Sequence, residues 1–243
     1  MNERSVGPLH GNRPSPRRRP RCAAFLLLIL VAIPVTRTVR AEPLDRAPAN
    51  IVALMAHFSE AGAVRADFES TQTISILSSA LESEGQLYFE PPDRMVRNTT
   101  RPGRSKVIVE GTRVAMLDET GLRRMDLARS GPARALVENI MLVLRGDLEG
   151  LKERYVVAYH VAASEGASER WTLTLTPRDR AVAALVSEIV FEGRRRQLES
   201  MLTREANGDS TRTRFTEVAF GEAISEIDRA KFFSVDAAAD DAP

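Results

Sequence analysis

Between Gly85 and Asp118 the chain is a series of short strand-like segments cut by Pro and Gly. Gly85 to Glu90 is followed by Pro91-Pro92-Asp93, Arg94 to Thr100 by Pro102-Gly103, and Ser105 to Val109 by Glu110-Gly111 before Val114 to Asp118. Segments this short, with tight turns between them, leave no room for crossover helices, so they dictate an antiparallel meander. The run contains no cluster of acids, bases, thiols or metal ligands. Its apolar face, not a catalytic centre, is therefore expected to be the working part.

The same reading extends along the chain. Ala49 to Glu60 carries a helical stripe of Ile51, Val52, Leu54, Met55 and Phe58, opened by Pro48 and closed near Gly62. The period then drops to two: Val64, Ala66 and Phe68 alternate with charged residues in a half-buried strand running toward Ile76. Leu81 to Glu90 is the next strand, and Gly85 within it marks a bulge or a close backbone approach. Leu122 to Asp126 ends the first half.

Pro132 then stands in the first turn of a helix over Ala133 to Arg145, Gly146 stops it, and Asp147 to Glu153 adds a further helical turn. Strands resume at Tyr155 to Ala163 and Trp171 to Thr176, with Trp171, Leu173 and Leu175 on one face. Leu185 to Glu192, Leu198 to Glu205 and Ser210 to Phe220 complete a second meander, with Asn207-Gly208-Asp209 as a tight turn. Ten or eleven strands, two helical inserts and no βαβ alternation predict a mainly β (α+β) fold. The expected form is one strongly curved antiparallel sheet with helices against its concave side.

The first forty or so residues read as an export signal. Arg17, Arg18, Arg19 and Arg21 precede an apolar run from Ala23 to Val35, and Val39-Arg40-Ala41 predicts cleavage after Ala41. The run is shorter than the roughly 20 residues a membrane span needs, and Pro34 and Arg37 close it. Expected domains are a cleaved signal peptide at 1–41, one folded domain at 42–235 and a disordered acidic tail at 236–243. Residues 1–41 hold eight of the 34 Lys+Arg and one of the 33 Asp+Glu, leaving 26 against 32, a net charge of −6. An acidic chain is a poor nucleic-acid binder. Cleavage also removes Cys22, the only cysteine, so no disulfide is expected.

Little chemistry is legible. His57 and His160 stand without Cys, Asp or Glu partners, and His57 reads as a helix-flank or surface residue. No serine lies in a Gly-x-Ser-x-Gly elbow. Glu82/Glu84 and Asp240/Asp241 lack metal-ligand spacing. Arg194-Arg195-Arg196 reads as the solvated tip of a hairpin. Arg94, Arg97, Arg101 and Arg104 form a looser basic series, in which alternation places Arg97 opposite Val96, at the rim of any cavity. No enzyme activity, metal or cofactor is expected.

From Gly85 onward the chain resembles the LolA-like outer-membrane lipoprotein carriers. The resemblance rests on Gly85, Leu87, Tyr88, Phe89, Pro92, Met95, Pro102, Val107, Ile108, Val109, Glu110 and Gly111 in that order. Phe68 with Gln72, the Trp171 to Pro177 strand, the Asn207-Gly208-Asp209-Ser210-Thr211 turn and Ala230-Lys231-Phe232-Phe233 extend it from about Ala49 to Val235. It implies an unclosed half-barrel of about eleven strands with helices as a lid over an apolar cavity.

The implied function is a periplasmic, monomeric carrier of acyl chains, from a lipoprotein or another lipid, moving from the inner toward the outer membrane. An inner-membrane release complex and an outer-membrane receptor would be its partners. The expected wall is Phe68, Leu87, Phe89, Met95, Val107, Val109 and Met116, the lid Ile140, Met141 and Leu144, and Arg97 a rim contact. Pro91, where a basic residue often stands in the family, and Arg97, where an aromatic often stands, depart from the pattern. The alternative is a periplasmic sensor that uses the same half-barrel to bind a protein partner.

Overall fold

Polar and apolar residues alternate along most of the chain, and in the computed structural model this alternation becomes a sheet. The structure describes residues 47–127, 131–162, 169–221 and 225–234. The expected signal peptide, its cleavage site and the acidic tail lie outside them.

Helix α1 (Ile51–Ala61) leads into β1 (Val64–Thr73), β2 (Leu81–Glu90), β3 (Arg94–Arg101), β4 (Ser105–Glu110), β5 (Arg113–Asp118) and β6 (Gly121–Asp126). Helices α2 (Gly131–Leu144) and α3 (Leu148–Arg154) interrupt the strands. The chain continues as β7 (Tyr155–Ala162), β8 (Arg170–Pro177), the short α4 (Arg180–Ala183), β9 (Val186–Arg194), β10 (Gln197–Glu205), β11 (Ser210–Phe220) and α5 (Glu226–Phe233).

The strands form one antiparallel sheet in the order β6-β5-β4-β3-β2-β1-β11-β10-β9-β8-β7. Every neighbour is joined through a local connection except β1 and β11, which pair along their length and weld the two meanders together. Strands β6 and β7 are the outer edges, so the sheet does not close.

Its inner face is built in rows. Val64, Phe89, Met95, Val109 and Val114 are cross-strand neighbours in one row, and Ala66, Leu87, Arg97, Val107 and Met116 in the next. At the β1–β11 seam the pairing slips, and Glu217 takes a left-handed backbone at φ 49°. This bulge reverses the alternation of β11, so Phe215 on one side of it and Val218 and Phe220 on the other all reach the same core.

Gly85 shows both features its sequence position predicts. The β2–β3 register shifts between Glu84 and Gly85, and a Cβ there would meet the Asn98 carbonyl oxygen at 1.9 Å. Asn50 caps α1 by accepting from the Ala53 N–H at 3.0 Å, so the helix starts at Ile51 instead of next to Pro48. Strand β1 stops at Thr73, short of Ile76, which is exposed.

Helix α5, which the sequence pattern does not predict, packs on the outer face over Tyr88, Val96 and Ile108. Phe232 stacks on Tyr88 at 3.8 Å between ring centroids, and the Arg94 guanidinium lies 4.2 Å over Phe233. The Lys106 ammonium donates to the carbonyls of Lys231 and Ser234 at 2.9 and 2.7 Å, capping the end of α5.

Candidate functional site

The inner face of the sheet and the helices that cover it share one apolar cluster. Phe68, Leu87, Phe89, Met95 and Val109 are buried in it, Val107 and Met116 are half-buried against it, and Ile140, Met141 and Leu144 of α2 are buried opposite. All ten apolar residues expected from the sequence thus meet in one place, although they come from six elements. They are packed against one another: Phe89 and Val109 are 0% exposed and Met141 3%.

The helices are shaped for this covering. The three buried residues of α1, Leu54, Met55 and Phe58, enter the same cluster, as does Leu151 of α3. The sequence stripe announced the α1 face but not its target. Helix α2 ends in a two-bond turn, Gly146 N–H to the Val143 carbonyl and Asp147 N–H to the Leu142 carbonyl, with Gly146 at φ 70°. A Cβ on Gly146 would lie 2.1 Å from the Met55 carbonyl oxygen, so α1 and α2 cross here in backbone contact. Asp147 then caps α3. Its carboxylate accepts from Gly150 N–H and pairs with Arg145, and those contacts hold it below the usual carboxylate range.

On the β7–β11 side the cover is aromatic. Trp171, Phe58 and Phe220 meet edge-on or tilted at about 6 Å, with Tyr159 against Trp171. His57 is half-buried on the flank of α1. It lies against Phe58 and Phe220, and its Nε2–H donates to the Arg196 carbonyl at 3.0 Å. Burial, followed by the Arg196 charge, pulls its pKa below the ordinary histidine value. The Arg194-Arg195-Arg196 run does form a hairpin tip, but all three residues are half-buried, with Trp171 Nε1–H donating to the Arg195 carbonyl. It is a docking surface for α1 instead of a solvated loop.

Arg97 lies on the inner face, opposite Val96, between Leu87 and Val107. Its guanidinium covers the Phe68 ring at 4.2 Å and donates to Thr99 Oγ1 at 2.9 Å and Ser83 Oγ at 3.3 Å. Burial lowers its pKa from the ordinary arginine value. Beyond this row the face turns polar, with the buried Ser70 and Thr213 hydroxyls 3.2 Å apart.

A separate open cleft of about 460 Å³ lies at the β2–β3 and β4–β5 turns, lined by Asp93, Arg94, Glu110, Gly111, Thr112 and Arg113. Its charged lining, with Arg94 paired to Glu90 and Glu110, does not suit an apolar ligand. Among the described residues no group of three His, Cys, Asp or Glu is placed to hold a metal, and no helix is long and apolar enough to cross a membrane.

A family model described as outer membrane lipoprotein carrier protein LolA-like matches residues 46–234. No curated protein matches the chain. Among the solved structures that are similar, three illustrate the likeness. A LolA superfamily protein from Nitrosomonas europaea shares 10% identity, with 76% of this chain and 97% of that one covered and a TM-score of 0.40. A domain described as an outer membrane lipoprotein-sorting protein, from Vibrio parahaemolyticus, shares 12% identity over 74% of this chain and 95% of that one, TM-score 0.42. The MucA/MucB complex of Pseudomonas aeruginosa shares 15% over 74% and 60%, TM-score 0.40.

Proposed function

The chain belongs to the LolA-like outer membrane lipoprotein carrier family, and we propose that it acts as a non-enzymatic periplasmic carrier which buries acyl chains between its sheet and its helices. One observation carries this reading: a continuous apolar cluster joins the inner rows of β1 to β5 to the buried faces of α1 and α2. Each buried methylene is worth roughly 0.8 kcal/mol, so an acyl chain crosses water only inside such a container. The cluster is filled by the protein's own side chains, so loading requires α1 and α2 to move off the sheet as a cover. The two helices move as a unit because they touch backbone to backbone at Gly146 and Met55.

In this reading Phe68, Leu87, Phe89, Met95, Val107, Val109 and Met116 form the wall, and Ile140, Met141 and Leu144 the underside of the cover. The acting form is a monomer of residues 42–235, exported with cleavage after Ala41. It receives cargo from an inner-membrane complex and delivers it to an outer-membrane receptor.

The test is extraction of a fluorescent diacyl phospholipid from vesicles, followed by separation of protein from vesicles. Wild-type protein is expected to take up the lipid. Met116→Asp should lower uptake at least about tenfold, because it places a charge against the acyl chain. Met116 is half-buried, so the variant keeps its fold, whereas a charge at the fully buried Met141 would unfold it. Uptake by neither protein refutes the carrier reading, as does equal uptake by both.

A further inference from the structure

Strand β3 carries three arginines with different fates. Arg94 pairs with Glu90 and Glu110 at 3.2 and 2.8 Å, and Arg101 pairs with Glu84. Arg97 faces the apolar interior, and its partners are two hydroxyls and an aromatic ring, with no carboxylate of the described residues among them. Burial is what lowers its pKa from the ordinary arginine value.

A guanidinium has five N–H donors in a planar fork, and two bonds to hydroxyls leave donors to spare. Taking an unpaired cation out of water costs stability, and an apolar residue of similar size at this place would remove that cost. Arg97 therefore weakens the empty protein, and a ligand anion is what would offset the cost.

Its position also has a direction. The row of Val64, Phe89, Met95, Val109 and Val114 is fully buried under the helices. Arg97 stands two residues along β3 from Met95, roughly 7 Å away, in a row that is half-buried at Val107 and Met116. Beyond it lie Thr99, Ser83 and the Ser70–Thr213 pair. The inner face is thus graded from dry to polar, and Arg97 marks the boundary. An amphiphile lying along it would place its chains on the dry rows and its headgroup at the guanidinium.

Resting on the carrier reading, we infer that Arg97 receives an anionic headgroup, so that the cargo is an acylated molecule bearing a carboxylate or phosphate at the root of its chains. A peptide whose lipidated terminus is fully acylated offers no such group.

The experiment is displacement of the uncharged dye N-phenyl-1-naphthylamine from full-length mature protein. Matched pairs supply the competitors: oleate against methyl oleate, and dioleoylphosphatidic acid against dioleoylglycerol. Wild-type protein is expected to bind the anionic member about 10- to 100-fold more tightly. Arg97→Gln should reduce both anions to the level of their neutral partners. Arg97→Lys should keep part of the preference, because it keeps the charge but loses the fork.

Arg97→Gln should melt no lower than wild type, which separates lost binding from lost fold; a lower melting temperature would overturn the view that the charge is unpaired. Equal binding of anionic and neutral partners by wild type overturns the inference while leaving the carrier reading intact. So does a preference that survives Arg97→Gln, or millimolar inorganic phosphate that competes with oleate as well as the phospholipid does, since the ligand would then be a free anion. Failure of every acyl competitor overturns the carrier reading, and this inference with it.

Discussion

His57 shows how one side chain reports on a packing interface. Its ring closes the space between α1 and the β9–β10 hairpin, donating to the Arg196 carbonyl, and burial lowers its pKa below about 6.5. A histidine with a depressed folded pKa leaves stability intact above its unfolded value. As pH falls below about 6.5 the unfolded chain takes the proton first, and stability drains away until the lowered folded pKa is passed. Asp147, whose pKa is also lowered, loses its contribution only in the more acid carboxylate range, so the two windows are separate. Wild type should therefore lose more thermal stability than His57→Gln between about pH 7.5 and pH 5.5, the glutamine amide still donating to Arg196. Equal losses in parallel melts would show that His57 is not the titrating group.

At the scale of elements, α5 and the pair α1–α2 use opposite faces of the same strands. Val96 and Ile108 point to α5, while Met95 and Val109, one residue away on the same strands, point to α2. Two periods of two are thus buried on both sides, which is why β2 to β4 read as more apolar than a strand with one wet face. Because α5 is fastened by Tyr88, Lys106 and Glu90, Phe232→Ala should cost about 1–2 kcal/mol of stability in urea unfolding. Acyl uptake by the same variant should be unchanged, since the sheet separates the two faces. Impaired uptake with normal stability would show that α5 belongs to the carrying machinery.

At the scale of the whole molecule, the β1–β11 seam decides whether there is one body or two. Phe68 stands at that seam, opposite Phe215 on one side and Gly85 on the other, beneath Arg97. Phe68→Ala should cost about 3–5 kcal/mol, and both meanders should unfold together in a single calorimetric transition. Two resolved transitions would mean the meanders are independent.

The local patterns were readable from sequence because they depend on neighbours along the chain. Strand β2 begins and ends where its alternation does, at Leu81 and Glu90, and the Gly85 bulge and Pro132 helix start follow from single-residue backbone chemistry. What pairs with what was not readable. Glu217 reverses the β11 alternation through one positive φ, and α5 has too short a pattern to announce either its helix or its face. The three arginines of β3 look alike in sequence, and only the folding of distant carboxylates onto Arg94 and Arg101, but not onto Arg97, tells them apart. Periodicity is a property of the chain. Partnership, burial and charge compensation depend on residues far apart in sequence, so they come into being only when the sheet assembles.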